Sequence, residues 1–169
     1  MSGVTENLLL GLIPRHGAPD RALLLAYLDR QRGLVAWKLD GLPDEVARAV
    51  RTPSGLNVHG LVRHLEDVER SWVREHLDGQ TGLTYGWQEG GDMPTTPDAR
   101  LTDLLASYAA EQRRCDEVLA RLDLDEVGAT KDHTVRWVVL HLIEEIARHV
   151  GHLDLLAELA DGRTGEEPA

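Results

Sequence analysis

The fold is decided by one stretch near the C-terminus, Trp137-Val-Val-Leu-His-Leu-Ile-Glu-Glu-Ile-Ala-Arg-His-Val-Gly-His-Leu-Asp-Leu-Leu156. Its apolar residues recur every three or four positions, which is the spacing of one face of an α-helix. At about 100° per residue, four polar residues fall within one sector of about 80°. These are His141, Glu145, His149 and His152. The stretch therefore predicts an amphipathic helix with a stripe of imidazole and carboxylate groups.

Charged residues indicate which side of this helix faces water. Arg136, Asp154 and Glu158 lie about 220–260° from His141, so we expect the His/Glu stripe to point almost directly away from solvent. Glu144 falls at about 300°, beside the solvated arc. Glu145 is therefore the predicted inward carboxylate.

Three further segments have helical periodicity, and no sustained alternation of β-branched residues predicts a strand. The four predicted helices run from about 19 to 40, 57 to 78, 102 to 122 and 134 to 160, and residues 79–100 form a long loop. Asn57 and Thr102 are predicted helix caps. Amphipathic helices of this length bury their apolar faces against one another. The sequence thus predicts an all-α fold, a single four-helix bundle spanning residues 1–169, with a core over about 18–162 and flexible ends.

Composition limits the expected binding partners and the expected cellular compartment. The chain has 169 residues, with 18 Lys and Arg against 29 Asp and Glu, and a formal net charge of −11. A uniformly acidic surface repels nucleic acids and anionic membranes, so neither is expected as a partner. No apolar run reaches the roughly 18 residues that a membrane span requires. The single cysteine, Cys115, cannot form an internal disulfide, which favours the cytoplasm.

Inward His and Glu side chains are costly unless something satisfies them. Either they hydrogen-bond among themselves, or they collect a cation. Imidazole nitrogens and carboxylate oxygens suit Zn²⁺, Ni²⁺ or Fe²⁺. Glu145 and His149, four residues apart, face one point, and His64 lies beside the apolar face of the second helix. The predicted metal ligands are therefore His64, Glu145 and His149, which leave one coordination position open, as in catalytic sites.

The remaining histidines are weaker candidates. His59 projects from the opposite side of the second helix, and His76 lies near its end, where we expect solvent. His16 and His133 fall in connecting segments. None of these four is predicted to be a metal ligand.

Two stretches, Pro53-Ser-Gly-Leu-Asn-Val-His-Gly-Leu-Val-Arg-His-Leu-Glu-Asp-Val-Glu-Arg-Ser-Trp72 and Arg136–His152, resemble the DinB-like metalloprotein superfamily. More narrowly, they resemble its actinobacterial mycothiol transferase-like branch, over about residues 18–165. The resemblance implies a bundle with up-down-down-up order, often as a homodimer. It also implies a divalent metal held by His64, Glu145 and His149. Many relatives have His in place of Glu145, but thiol-dependent maleylpyruvate isomerase relatives carry the same His/Glu/His set.

The resemblance implies a metal-dependent transferase that adds a low-molecular-weight thiol, such as mycothiol, to a small electrophile in detoxification or stress. Metal coordination lowers the thiol pKa and creates thiolate at neutral pH. Zinc is the favoured metal, with nickel or iron as alternatives, and mycothiol is the expected co-substrate. His152 and His141 are candidate catalytic residues that either orient a ligand or move a proton. Many relatives carry Gln in place of His152.

Three alternatives use the same residues differently. A metal-bound hydroxide would make the protein a hydrolase. A non-catalytic metal or small-ligand binding protein would hold the metal without turning over a substrate. In an all-α dimer without metal, the histidines would pair only with Glu144 and Glu145. Turnover that persists without thiol would favour the hydrolase, and thermal stability that chelators leave unchanged would favour the metal-free dimer.

Overall fold

A computed structural model describes residues 13–14, 16–90, 93 and 98–164. The α-helices are α1 Asp20–Leu39, α2 Asp44–Ala49, α3 Val58–Glu69, α4 Trp87–Gly90, α5 Leu101–Leu119 and α6 Val135–Asp161, and a π-helical segment, Arg70–Leu77, directly follows α3. The described ranges contain no strand, and they form only the isolated bridges Arg51–Asn57 and Val127–Thr134. The all-α prediction is confirmed.

The chain divides into two compact units. The first comprises Met1–Gly41 and Val139–Ala169, and the second comprises Leu42–Val138. The single four-helix bundle, its up-down-down-up order and the single domain over 1–169 stay predictions. The predicted flexible ends fall mainly on residues 1–12 and 165–169, which lie outside the described residues. No helix in the described part of the chain is both long and apolar enough to cross a membrane.

The first unit pairs α1 with the larger part of α6. Both helices bury leucines, namely Leu28, Leu34 and Leu39 of α1 and Leu142, Leu153 and Leu156 of α6. Near the end of α1, the buried Lys38 ammonium lies 2.5 Å from the Asp154 carboxylate of α6. The Arg163 guanidinium donates to the Asp40 carbonyl at 2.8 Å. These polar contacts connect the C-terminal ends of the two helices.

In the second unit, α3 packs against α5. Buried leucines and valines meet there, together with two buried acids. The Tyr108 hydroxyl donates to the Glu69 carboxylate at 2.7 Å, and the Cys115 thiol contacts the Glu69 carbonyl at 3.6 Å. Glu111 is fully buried and accepts hydrogen bonds from arginines of both the π-helical segment and α5. Cys115 is fully buried at this contact between α3 and α5.

Of the two predicted helix caps, only the one at Asn57 is made by a residue next to its own helix. Asn57 caps α3 as predicted, because its Oδ1 accepts from the Gly60 amide at 2.9 Å. The prediction of a Thr102 cap is wrong, since α5 begins one residue earlier, at Leu101. The Leu101 amide instead donates to the Asp44 carboxylate of α2 at 2.7 Å. The residues around position 102 could not predict this cap, because the acceptor for the Leu101 amide belongs to another helix.

The second predicted helix, about 57–78, consists of an α-helical half and a π-helical half. It is α-helical to Glu69 and π-helical from Arg70 to Leu77. Gly79 follows the helix with a positive φ of 69°. A π-helix has one more residue in each hydrogen-bonded ring than an α-helix and is rare. Spacings of three and four residues do not distinguish the two, so the sequence predicted a uniform helix.

His76 corrects a second expectation. It lies in the π-helical segment and is 1% exposed, although the sequence placed it in solvent. Residues 128–130 cover it: the Thr130 amide donates to the His76 carbonyl at 3.2 Å, and a Cβ on Gly128 would lie 3.0 Å from the imidazole Cδ2. Both ring nitrogens lack a hydrogen-bond partner among the described residues.

We expect His76 to destabilise the protein in mild acid. Burial lowers its pKa from the usual 6.5, and the charges of Lys131 and His133 lower it further. Below pH 6.5 the unfolded chain therefore binds a proton that the folded chain excludes, so the free energy of unfolding falls as pH drops. Urea unfolding at pH 7 and pH 5 should show a smaller loss for His76→Phe than for wild type. Replacing the exposed His16 should leave the loss unchanged, and an unaltered loss in His76→Phe would contradict the prediction.

A second prediction about stability concerns Gly60 of α3. A Cβ there would lie 3.0 Å from the Met93 carbonyl oxygen, whereas a Cβ on the exposed Gly151 of α6 would meet nothing within 4 Å. Alanine normally stabilises a helix by about 1 kcal/mol relative to glycine. At Gly60 the contact with Met93 should reverse the sign, at a cost of about 1–3 kcal/mol. Chemical denaturation should show that Gly60→Ala destabilises and Gly151→Ala stabilises; equal effects would refute this.

Candidate metal centre

The centre of the candidate site is an acid–imidazole pair on α6. Glu145 and His149 lie one turn apart, and the Glu145 Oε1 to His149 Nε2 distance is 3.1 Å. His149 is 5% exposed, and 14% of the Glu145 side chain is exposed. A four-residue separation puts both side chains on the same helix face. The pair thus presents a nitrogen and an oxygen, both common ligand atoms for Zn²⁺, side by side in a largely buried setting.

Arg148 holds the second oxygen of the Glu145 carboxylate. Its Nη1 donates to Glu145 Oε2 at 2.9 Å, and its Nη2 donates to Glu144 at 2.8 Å. The Glu144 side chain is 68% exposed, so Glu145 is the more buried acid, as its position around the helix predicts. Sequence reasoning missed Arg148, although its spacing of three and four residues from the two acids is a recognisable ion-pair pattern.

The other nitrogen of His149 contacts a second imidazole. His149 Nδ1 lies 3.2 Å from His152 Nδ1, and the ring planes are tilted by 56°. Both nitrogens of His149 therefore have a polar neighbour on its own helix. A fixed ring orientation is what a metal ligand requires.

His141 and His64 complete the predicted set. His141 is half-buried, one turn before Glu145 on α6. His64 is half-buried on α3, in the second unit, between the fully buried Leu61 and Leu65. Its place beside the apolar face of α3 agrees with the sequence analysis. That His64 joins Glu145 and His149 at one metal stays a prediction.

The predicted solvent side of α6 needs correction. Large apolar side chains occupy the exposed face: Trp137, Leu140, Leu155 and Leu159 are 44–66% exposed. Asp154 is drawn to the flank by Lys38. The exposed arc is therefore rotated toward Glu144, and His141, Glu145 and His152 are only half-buried. The His/Glu stripe borders the buried face of α6, and only His149 lies well inside it.

Asp67 of α3 holds the long loop near Gly86. The Asp67 carboxylate accepts from the Gly86 amide at 2.5 Å and pairs with Arg70 at 2.8 Å. Burial raises the pKa of Asp67, although both contacts oppose the rise. Trp87 is half-buried and stacks on Tyr85 with ring centroids 4.6 Å apart. This part of the loop is therefore ordered by contacts within the second unit.

Comparison with known proteins gives a family. The family described as Mycothiol-S-transferase has a model that matches residues 23–162, most of the chain. No curated protein matches the chain. The match extends from the first turn of α1 to just beyond the end of α6.

Proposed function

The chain belongs to the mycothiol-S-transferase family, a DinB-like family, and from this premise we propose that it transfers a low-molecular-weight thiol to a small electrophile. Mycothiol is the proposed thiol because the family is named for it. The proposed role is detoxification or stress response, carried out by a cytoplasmic homodimer. The proposed fold is the single DinB-like four-helix bundle with up-down-down-up order.

We further propose a divalent metal, zinc in the first instance and nickel or iron as alternatives, held by His64, Glu145 and His149. The observation that carries this proposal is the adjacent placement of Glu145 Oε1 and His149 Nε2, 3.1 Å apart on one face of α6. The donors fit the metal, since imidazole nitrogen and carboxylate oxygen are common zinc ligands. A bound divalent metal lowers the pKa of a coordinated thiol, which favours the nucleophilic thiolate.

The residues around the pair have distinct proposed tasks. Arg148 orients the Glu145 carboxylate through its second oxygen. His152 and His141 lie on the same helix and are proposed either to orient a ligand or to move a proton during transfer. The low exposure of His149 restricts the access of water to its ring.

Elemental analysis of freshly purified protein, followed by a conjugation assay, tests the proposal. We expect close to one divalent metal per chain and conjugation of mycothiol to a fluorogenic alkyl halide. A chelator should abolish conjugation, and Zn²⁺ should restore it. Protein that holds no divalent metal would overturn the metal site. Turnover that persists without thiol would indicate a hydrolase, and metal binding without turnover would indicate a binding protein.

A further inference from the structure

We propose that His152 is a positioning residue that determines which nitrogen of His149 faces the metal. The inference rests on the proposed function, because it takes His149 to be a metal ligand. It goes further by assigning the proton on each ring and by choosing orientation over proton transfer as the task of His152.

The two nitrogens of His149 have different neighbours. Nε2 lies 3.1 Å from Glu145 Oε1, and Nδ1 lies 3.2 Å from His152 Nδ1. The residue is only 5% exposed, which limits water as a substitute partner. A neutral imidazole carries one proton, on either nitrogen, and the other nitrogen keeps a lone pair. The position of that proton therefore decides which side of the ring can bind a cation.

The His149 ring can carry its proton in two ways, and only the first satisfies both contacts without a bound cation. With its proton on Nε2, His149 donates to Glu145, and its Nδ1 accepts from His152. With its proton on Nδ1, His149 donates to His152, and the Nε2 lone pair is left beside the Glu145 carboxylate. A metal binds only an unprotonated nitrogen, so the second arrangement is the one that joins an imidazole nitrogen and a carboxylate oxygen at a cation.

The second arrangement also fixes the proton of His152. Its Nδ1 must accept the hydrogen bond, so a neutral His152 carries its own proton on Nε2. Metal-binding imidazoles usually donate their other N–H to a carboxylate, a carbonyl or a water. Here an imidazole three residues along the same helix occupies that position. Glu145 lies on the other side of the ring, with its Oε1 beside His149 Nε2 and its Oε2 accepting from Arg148.

Zinc affinity measured by competition with a chromophoric chelator tests the role of His152. His152→Asn keeps an oxygen that accepts from His149 Nδ1, whereas His152→Leu has a similar shape and no acceptor. We expect His152→Leu to bind Zn²⁺ more weakly by about 10–100-fold, and His152→Asn to recover most of that loss. Wild-type affinity in His152→Leu, or an equal loss in both variants, would overturn the assignment.

Nitrogen-15 NMR of the zinc-loaded wild-type protein gives a readout that depends on no variant. We expect a proton on Nδ1 of His149 and on Nε2 of His152. A proton on Nδ1 of His152 would overturn the assignment. Wild-type protein that takes up no Zn²⁺ would overturn the proposed function and the assignment together, whereas zinc binding that ignores His152→Leu overturns the assignment alone.

Discussion

Replacing Glu145 with glutamine is expected to abolish metal retention and thiol transfer. The substitution keeps the size of the side chain but removes the negative charge next to His149 Nε2. The remaining two proposed ligands are neutral imidazoles, and loss of a carboxylate ligand should weaken Zn²⁺ binding by at least about 100-fold, beyond the effect of losing an outer partner. Elemental analysis after dialysis should find less than a tenth of the wild-type metal, and conjugation should fall in proportion.

Glu144→Gln is the matched control. Glu144 is the neighbouring residue, makes the same kind of contact with Arg148, and has an exposed side chain. Because this variant loses one acid and one ion pair with Arg148, it controls for charge and for helix stability. It should retain both metal and activity. Full metal content in Glu145→Gln, or equal losses in both variants, would remove Glu145 from the ligand set.

The largest stability effect is expected at Glu111. Its carboxylate is completely buried on α5 and lies 2.8 Å from Arg74, 3.1 Å from Arg114 and 3.2 Å from Arg70. Glu111→Ala would leave Arg70 and Arg74, which are 14% and 18% exposed, without this acid. Removing one partner of a buried ion pair typically costs about 3–5 kcal/mol. Urea unfolding at pH 7 should show a loss of that size.

The exposed Glu117, on the same helix, provides the control: Glu117→Ala should change the free energy of unfolding by less than about 0.5 kcal/mol. The pH dependence gives a further check. Burial raises the pKa of Glu111, but hydrogen bonds and charges from Arg74 and Arg70 outweigh burial and place the pKa below its usual 4.5. Its stabilising contribution is therefore present above pH 4.5 and is lost as pH falls through the lower folded pKa. A loss under 1 kcal/mol in Glu111→Ala would refute this account.

Local spacing predicts the parts of this protein that depend on one helix at a time. The helical class, the Asn57 cap and the placement of Glu145 beside His149 all follow from residues within a few positions of one another. The same holds for the choice of Glu145 over Glu144, because a helix of known periodicity fixes the angle between neighbouring side chains.

Features that depend on distant residues were missed or mispredicted. Residues 128–130 bury His76. The sequence around position 76 gives no sign of this burial, because the covering residues lie more than fifty positions away. The solvent side of α6 was predicted at the wrong angle, because charged residues were assumed to face water. In the structure, Lys38 holds Asp154 at the flank of the helix. Local spacing also cannot decide whether His64 joins Glu145 and His149 at one metal, because that depends on how separate helices pack.

The Asp44 cap of α5 has a consequence for the order of folding. The acceptor for the Leu101 amide is 57 residues away along the chain, and Arg48 of the same short helix donates to the Ala99 carbonyl. A peptide comprising residues 101–119 alone would lack both contacts, so its first turn should fray. In the intact chain that turn can be consolidated only after a large loop has closed, at an entropic cost that local helix nucleation does not bear. The start of α5 is therefore expected to gain protection against amide exchange late in refolding, after α3 has formed.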